Sequence, residues 1–233
     1  MVPLGHSAAE LAERAGRLRD DFNDRFWDPR GWFALALDGS GRRVDALTTN
    51  PGHALWTGIA EPELATRQLD RFTEPAMWTG WGLRTLAENM DAYDPLSYHN
   101  GSVWPHDTAL CAAGAARYGR WDVVDLIVDG ALDAAMAFDG RPPELFAGIA
   151  RSESPMPVAY PASCSPQAWA SASVLLLLRT LLDVQPEPDS GELRVCRTDL
   201  AGVADVRLER VSCAGRRFDI DVSAGALDVR PTV

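Results

Sequence analysis

The sequence predicts a mainly α-helical fold with a β-hairpin near the N-terminus and a small β-rich segment at the C-terminus. Three observations predict it. Helix-length stretches, several with apolar residues at three- and four-residue spacing, run from Ser7 to Leu182. Between Arg30 and Leu47, β-prone residues flank the turn signal Asp38-Gly39-Ser40-Gly41, which reads as a hairpin. Past Val184 only short β-prone pieces remain.

Taken in order, Ser7 with Glu10 three positions on is a capping box that starts the first helix. Leu11, Ala15, Leu18, Phe22 and Phe26 then form one apolar face, before the hairpin. From Asn50 the texture changes. Helical stretches at Glu61–Phe72, Ser102–Tyr118, Trp121–Phe138 and Ser165–Leu182 are separated by loops spanning 48–58, 75–107 and 139–169, rich in Gly, Pro, Ser, Tyr and His. Loops this long inside a compact domain usually carry function. The C-terminal pieces are Leu193–Cys196, Val206–Val211 and Phe218–Val222. The expected division is therefore a helical part over 1–184 and a small β-rich segment over 185–233.

Composition narrows the function. With 33 acidic against 22 basic residues the net charge is -11, which disfavours nucleic acid and anionic membrane surfaces and suits a neutral ligand such as a sugar. The longest block of large aliphatics is Val174–Leu178, too short to span a bilayer. The segment MVPLGHSAAELAERAG has neither a basic nor an apolar leader region. Four scattered cysteines without a CxxC pair favour free thiols, so a cytoplasmic location is expected. No cofactor and no metal are expected. His53, His99, His106 and Cys111 lack zinc-ligand spacing, and neither a phosphate-binding glycine loop nor a Gly-x-Ser-x-Gly elbow is present.

Eight tryptophans are many for 233 residues. Trp56, Trp81, Trp104 and Trp169 each sit in a Gly-, Ser- or Pro-bearing segment near an expected helix start. Parallel helices whose N-termini gather at one end would bring these indoles around a common mouth. Flat aromatic faces suit the apolar faces of pyranose rings, while His, Asn, Asp and Glu satisfy hydroxyls. Core packing is the alternative for each indole.

The stretch Ser97-Tyr98-His99-Asn100-Gly101-Ser102-Val103-Trp104-Pro105-His106-Asp107 resembles a signature of the bacterial amylo-α-1,6-glucosidase, or glycogen-debranching-like, family. Further blocks agree in order: Thr49-Asn50-Pro51-Gly52-His53, Gly80-Trp81-Gly82-Leu83-Arg84, Pro143-Glu144-Leu145-Phe146 and Ser163-Cys164-Ser165-Pro166-Gln167-Ala168-Trp169. The resemblance runs from about Ala8 to Val184. It implies a six-hairpin (α/α)6 toroid, here an incomplete one, and inverting hydrolysis of α-glucans or α-glucosides by one acid and one base. It places the general base at Glu144, whose approach is stiffened by Pro142 and Pro143; Glu153 is a reserve candidate.

The resemblance also implies that the general acid lies upstream, in a stretch the chain lacks. The expectation is a catalytically incomplete half ring, binding an oligosaccharide or α-glucan, with the missing half or a second copy as further partner. A carbohydrate-binding half toroid without turnover and a protein-association scaffold are the competing readings. The substrate-facing candidates are Trp56, Trp81, Arg84, His99, Asn100, Trp104, His106, Asp107 and Trp169. Arg84 serves either a hydroxyl or a structural salt bridge, and Tyr160, before Pro161, shapes a turn.

Overall fold

The computed structural model describes residues 7–187, 189–200, 203 and 205–232. Residues 1–6, on which part of the N-terminal reading rests, lie outside that set. Six helices and nine short strands make up the described chain.

Helix α1 (Ala8–Phe26) starts at the expected capping box: the Ser7 backbone N–H donates to Glu10 Oε2 at 2.7 Å, and Glu10 N–H donates to Ser7 Oγ at 3.2 Å. Only the end of its apolar face is used. Phe22 stacks on Phe33 at 4.7 Å, and Phe26 joins the same cluster, whereas Leu11 and Leu18 are exposed. Asn23 fastens the helix to a distant stretch of chain, donating to the Ile59 carbonyl at 2.8 Å and accepting from Glu61 N–H at 2.8 Å.

Two tiny antiparallel pairs come next, β1 (Trp27–Asp28) with β2 (Trp32–Phe33), and β3 (Ala36–Leu37) with β4 (Arg43–Val44). The second is the expected hairpin, its turn held by Asp38 Oδ1 accepting from the Ser40 and Arg42 backbone N–H groups.

The remaining helices are α2 (Pro51–Thr57), α3 (Pro62–Phe72), α4 (Pro105–Arg117), α5 (Trp121–Ala137) and α6 (Ala168–Leu182). All but α2 were legible; α2 is a short helix inside the first long loop. Helix α4 lies at the centre, packing on α2, α5 and α6. That position explains its composition, because Ala109, Cys111, Ala112 and Ala115 are buried and small enough for close neighbours. A Cβ at Gly52 of α2 would stand 2.2 Å from the Cys111 sulfur, so glycine sets the distance between these two helices. Around them Leu55, Leu69, Phe72, Leu83 and Ile127 are fully buried, each worth about 1.5–3 kcal/mol of transfer free energy. Of the described helices, none is long and apolar enough to cross a membrane.

The C-terminal part contains a hairpin of β5 (Val184–Glu187) and β6 (Glu192–Val195), then an antiparallel meander of β7 (Val206–Cys213), β8 (Arg216–Ser223) and β9 (Ala226–Pro231). Strand β8 buries Phe218, Ile220 and Val222 on alternate positions, as a one-sided sheet requires. Ile220 and Val222 share a core cluster with Leu181 and Leu182 of α6. Arg197 adds a tie to α5, donating to both Asp125 oxygens at 2.6 and 2.8 Å and to the Leu181 carbonyl at 3.0 Å.

Candidate active site

The long loops are ordered because they pair with one another. Val103 and Phe146 exchange backbone hydrogen bonds at 2.9 and 3.0 Å. Val103 also bridges Arg84, and Phe146 bridges Ala159, so four segments of the two longest loops form a narrow irregular mat. Glu144 N–H donates to the Cys164 carbonyl at 2.9 Å, which extends the mat to the start of α6.

On this mat the N-termini of α2, α4 and α6 converge. Asn50, Trp104 and Gln167 occupy their N-cap positions, and none supplies a side-chain cap bond. Between the three helix starts lies a cleft of about 430 Å³, walled by Trp104, Trp169 and His99 and lined with Asn50, His53 and Asp107. The expectation that helix starts gather around aromatic residues therefore describes α2, α4 and α6.

The aromatic groups form a connected set. Tyr98 meets Trp104 edge-on at 5.1 Å and Tyr160 at 5.9 Å. His99 lies parallel to Trp104 at 5.7 Å, and His106 stacks on Trp169 at 3.8 Å. Trp104 Nε1 donates to the Tyr98 carbonyl at 3.0 Å, which fixes the indole plane. Trp169 itself is 59% exposed, leaving indole surface free for a ligand.

Glu144 stands beside this set, half-buried. Its Oε1 accepts from Gln167 Nε2 at 3.1 Å. Acting as acceptor, its carboxylate also holds the Tyr98 hydroxyl proton above the ordinary tyrosine range. The mouth thus holds a carboxylate fixed by the Gln167 amide, with the Tyr98 hydroxyl under its influence, next to a cleft sized for sugar rings. A group of that kind can take a proton from water.

The second carboxylate of the mouth is Asp107, whose Oδ1 is 2.6 Å from His53 Nε2. This bond raises the His53 pKa against the opposing effect of burial. His106 moves the other way: burial favours its neutral form and outweighs the attraction of Asp107 and Glu144. In an NMR titration His53 is expected to titrate above, and His106 below, the ordinary histidine value of about 6.5. Asp107→Asn should bring the His53 midpoint down. These directions set the pH dependence of stability. The contribution of His53 is complete below about pH 6.5 and is lost as pH rises through its raised folded value, whereas His106 destabilises the fold as pH falls below about 6.5. A His53 midpoint below that value in the parent would contradict the geometry.

Of the residues selected from sequence, the structure gathers Glu144, His99, Asn100, Trp104, His106, Asp107 and Trp169 at this mouth. Three lie elsewhere. Trp56 is near the C-terminal end of α2, 49% exposed, beside Arg117 and Arg179 at the opposite ends of α4 and α6. Trp81 is 4% exposed, packed against Val103, Ala134 and Phe146 with the Arg151 guanidinium 4.2 Å above its ring. Arg84 is 2% exposed, donating to the Gly148 carbonyl at 2.9 Å and the Pro75 carbonyl at 2.6 Å, with Glu88 at 3.5 Å, so it is a structural residue of the loop mat. The reserve carboxylate Glu153 accepts from Ala150 N–H at 3.1 Å within its own turn. Sequence reasoning passed over His53, Tyr98 and Gln167, although each lies inside one of the recognised motif blocks.

The family comparison makes the chain a glycoside hydrolase-like domain. The chain belongs to the mannosylglycerate hydrolase MGH1-like glycoside hydrolase family, which it matches over residues 3–144. The match bears out the glycoside hydrolase class that the motif blocks suggested and does not extend to the narrower amylo-α-1,6-glucosidase assignment. No curated protein sequence matches the chain. Its fold is similar to that of a sialidase structure (TM-score 0.68, 11% identity, 96% of this chain and 22% of that one). It is also similar to the GH63 mannosylglycerate hydrolase from Thermus thermophilus in complex with glucose (TM-score 0.57, 17% identity, 76% and 42%). A third similar structure is the neutral trehalase Nth1 from Saccharomyces cerevisiae (TM-score 0.55, 20% identity, 77% and 32%). The chain spans less than half the length of each of these three proteins.

Proposed function

We propose that the chain is the base-bearing part of an inverting glycoside hydrolase that acts on α-linked glucosides, α-glucans or related α-hexosides. The observation that carries this reading is Glu144, held by Gln167 at 3.1 Å beside an aromatic cleft of about 430 Å³. In this reading a hexose ring lies against Trp104 and Trp169, with His99, Asn100, His106 and Asp107 around it. Glu144 takes a proton from the attacking water as that water adds to the anomeric carbon. As water adds, the glycosidic C–O bond breaks on the opposite face and the leaving oxygen takes a proton from a general acid. This reading assigns that acid to a further stretch of polypeptide, because Asp107 is engaged with His53. That the similar proteins include a mannosylglycerate hydrolase and a trehalase supports a small α-hexoside over a long glucan.

The test uses substrates whose departure needs little acid assistance. α-Glucosyl and α-mannosyl fluoride are offered to the purified chain, and the released anomer is read by NMR. The expected result is the inverted β-sugar from the parent, with Glu144→Gln slower by about 10²–10⁴-fold. Equal rates in parent and variant would remove Glu144 from the chemistry. Sugar binding without any turnover would instead favour a carbohydrate-binding domain.

A further inference from the structure

His53 and Asp107 are 54 positions apart, yet they are the third residues of α2 and α4, which pack side by side through the Gly52–Cys111 contact. The close approach of the two helix starts brings His53 Nε2 to 2.6 Å from Asp107 Oδ1, at the edge of the aromatic cleft. A first-turn aspartate commonly serves the start of its own helix. Asp107 is turned instead toward the neighbouring helix, and α4 has no side-chain cap. Among the described residues no hydrogen bond is made to its other oxygen, Oδ2, and Asp107 is one of the residues that line the cleft.

The two oxygens are therefore differently placed. One is fixed by a ring nitrogen on a helix whose position is set by a glycine contact. The other is an acceptor held at a defined point near Trp104 and Trp169. A hydroxyl bonded to a carboxylate makes a shorter and stronger hydrogen bond than one bonded to a neutral acceptor. A pyranose laid on an indole presents its hydroxyls at the ring edge, toward such a group.

We propose that Asp107 accepts a ring hydroxyl of a hexose bound in this cleft, and that His53 is the positioning residue that holds the carboxylate for it. The proposal rests on the carbohydrate reading of the mouth. It assigns His53 a role that neither the base at Glu144 nor the aromatic wall requires. Because the acceptor is one fixed oxygen, the pair also serves to discriminate hexoses by the orientation of the hydroxyl that meets it.

The experiment titrates the chain with methyl α-D-glucopyranoside and methyl α-D-mannopyranoside, following tryptophan fluorescence, and records thermal unfolding for each variant. Asp107→Asn keeps the shape and removes the charge, and should weaken binding of the preferred sugar about tenfold or more. His53→Ala should weaken it similarly. His53→Gln, whose amide nitrogen can replace Nε2 as donor, should restore binding to within about threefold of the parent. Parent-like affinity in Asp107→Asn and His53→Ala, even with a lowered unfolding temperature, would show a purely structural pair and overturn the proposal. So would a His53→Gln variant as weak as His53→Ala. A folded parent that binds neither sugar would overturn the carbohydrate reading itself, and this inference with it, a result distinct from selective failure of the variants.

Discussion

Gly148→Ala is expected to lower the urea unfolding midpoint by roughly 1 M or more and to abolish sugar binding where the fold is lost. A Cβ at Gly148 would stand 1.8 Å from the Gly101 carbonyl oxygen, a backbone atom with no rotamer to change. Neither segment can yield alone. Gly148 N–H donates to the Pro95 carbonyl at 2.9 Å, and its own carbonyl accepts from Arg84 Nε at 2.9 Å. The adjacent Ala147 N–H donates to the Val158 carbonyl at 2.9 Å. Relief of the clash therefore requires the loops to part, at a cost near the top of the range for overpacked sites, about 3 kcal/mol or more. Glu144 lies four residues before Gly148, and Trp104 three residues after Gly101, so parting the loops moves base and aromatic wall away from each other. Gly39→Ala is the control, since nothing stands within 4 Å of a Cβ there. A Gly148→Ala midpoint equal to the parent's would mean that the loops are not held together as described.

How much of this was legible in the sequence depends on the range of each signal. The capping box at Ser7 and Glu10 and the alternation of Phe218, Ile220 and Val222 are local patterns, and both describe the observed elements. Helix α2 escaped because seven residues hold too few apolar positions to show a period. The tryptophans were harder. Trp104 and Trp169 face the mouth, but Trp56 and Trp81 carry the same local context of small residues near an expected helix start. What separates them is depth. Val103 and Phe146, brought together only by the loop mat, enclose Trp81, while Trp56 sits at the far end of a helix too short to anticipate. The His53–Asp107 pair was invisible for a related reason: the closeness of its two helices depends on Gly52 meeting Cys111, a contact between distant positions. Glu144 came from the motif block, and its neighbours Gln167 and Tyr98 came from the fold.

Arg84 is where the two lines of reasoning diverge most, and Arg84→Met separates them. As a hydroxyl anchor, Arg84 would affect binding and leave stability alone. The structure predicts the reverse. Its guanidinium is buried under the mat, joining the Pro75 and Gly148 carbonyls across segments 73 positions apart. Methionine fills much of the volume but donates nothing, so the two carbonyls lose their Arg84 donor. The Gly148 carbonyl is buried and keeps only a long contact from the Tyr93 hydroxyl at 3.4 Å, whereas Pro75 is exposed and water can replace its donor. The expected loss is that of one under-satisfied buried acceptor, about 1–3 kcal/mol. The ion pair with Glu88 adds little, because Glu88 is exposed and water replaces its partner. Arg84→Lys should recover only part of the loss, since one ammonium cannot reach both carbonyls in the planar geometry of a guanidinium. Urea unfolding of the three proteins measures these differences. Titration with methyl α-glucoside and methyl α-mannoside under conditions where each variant is folded supplies the other half, with affinities expected within about twofold of the parent. Parent-like stability combined with lost binding would return Arg84 to the ligand. The expected outcome makes it a residue that shapes the site from beneath, through the carbonyl of Gly148 and the loop that carries Glu144.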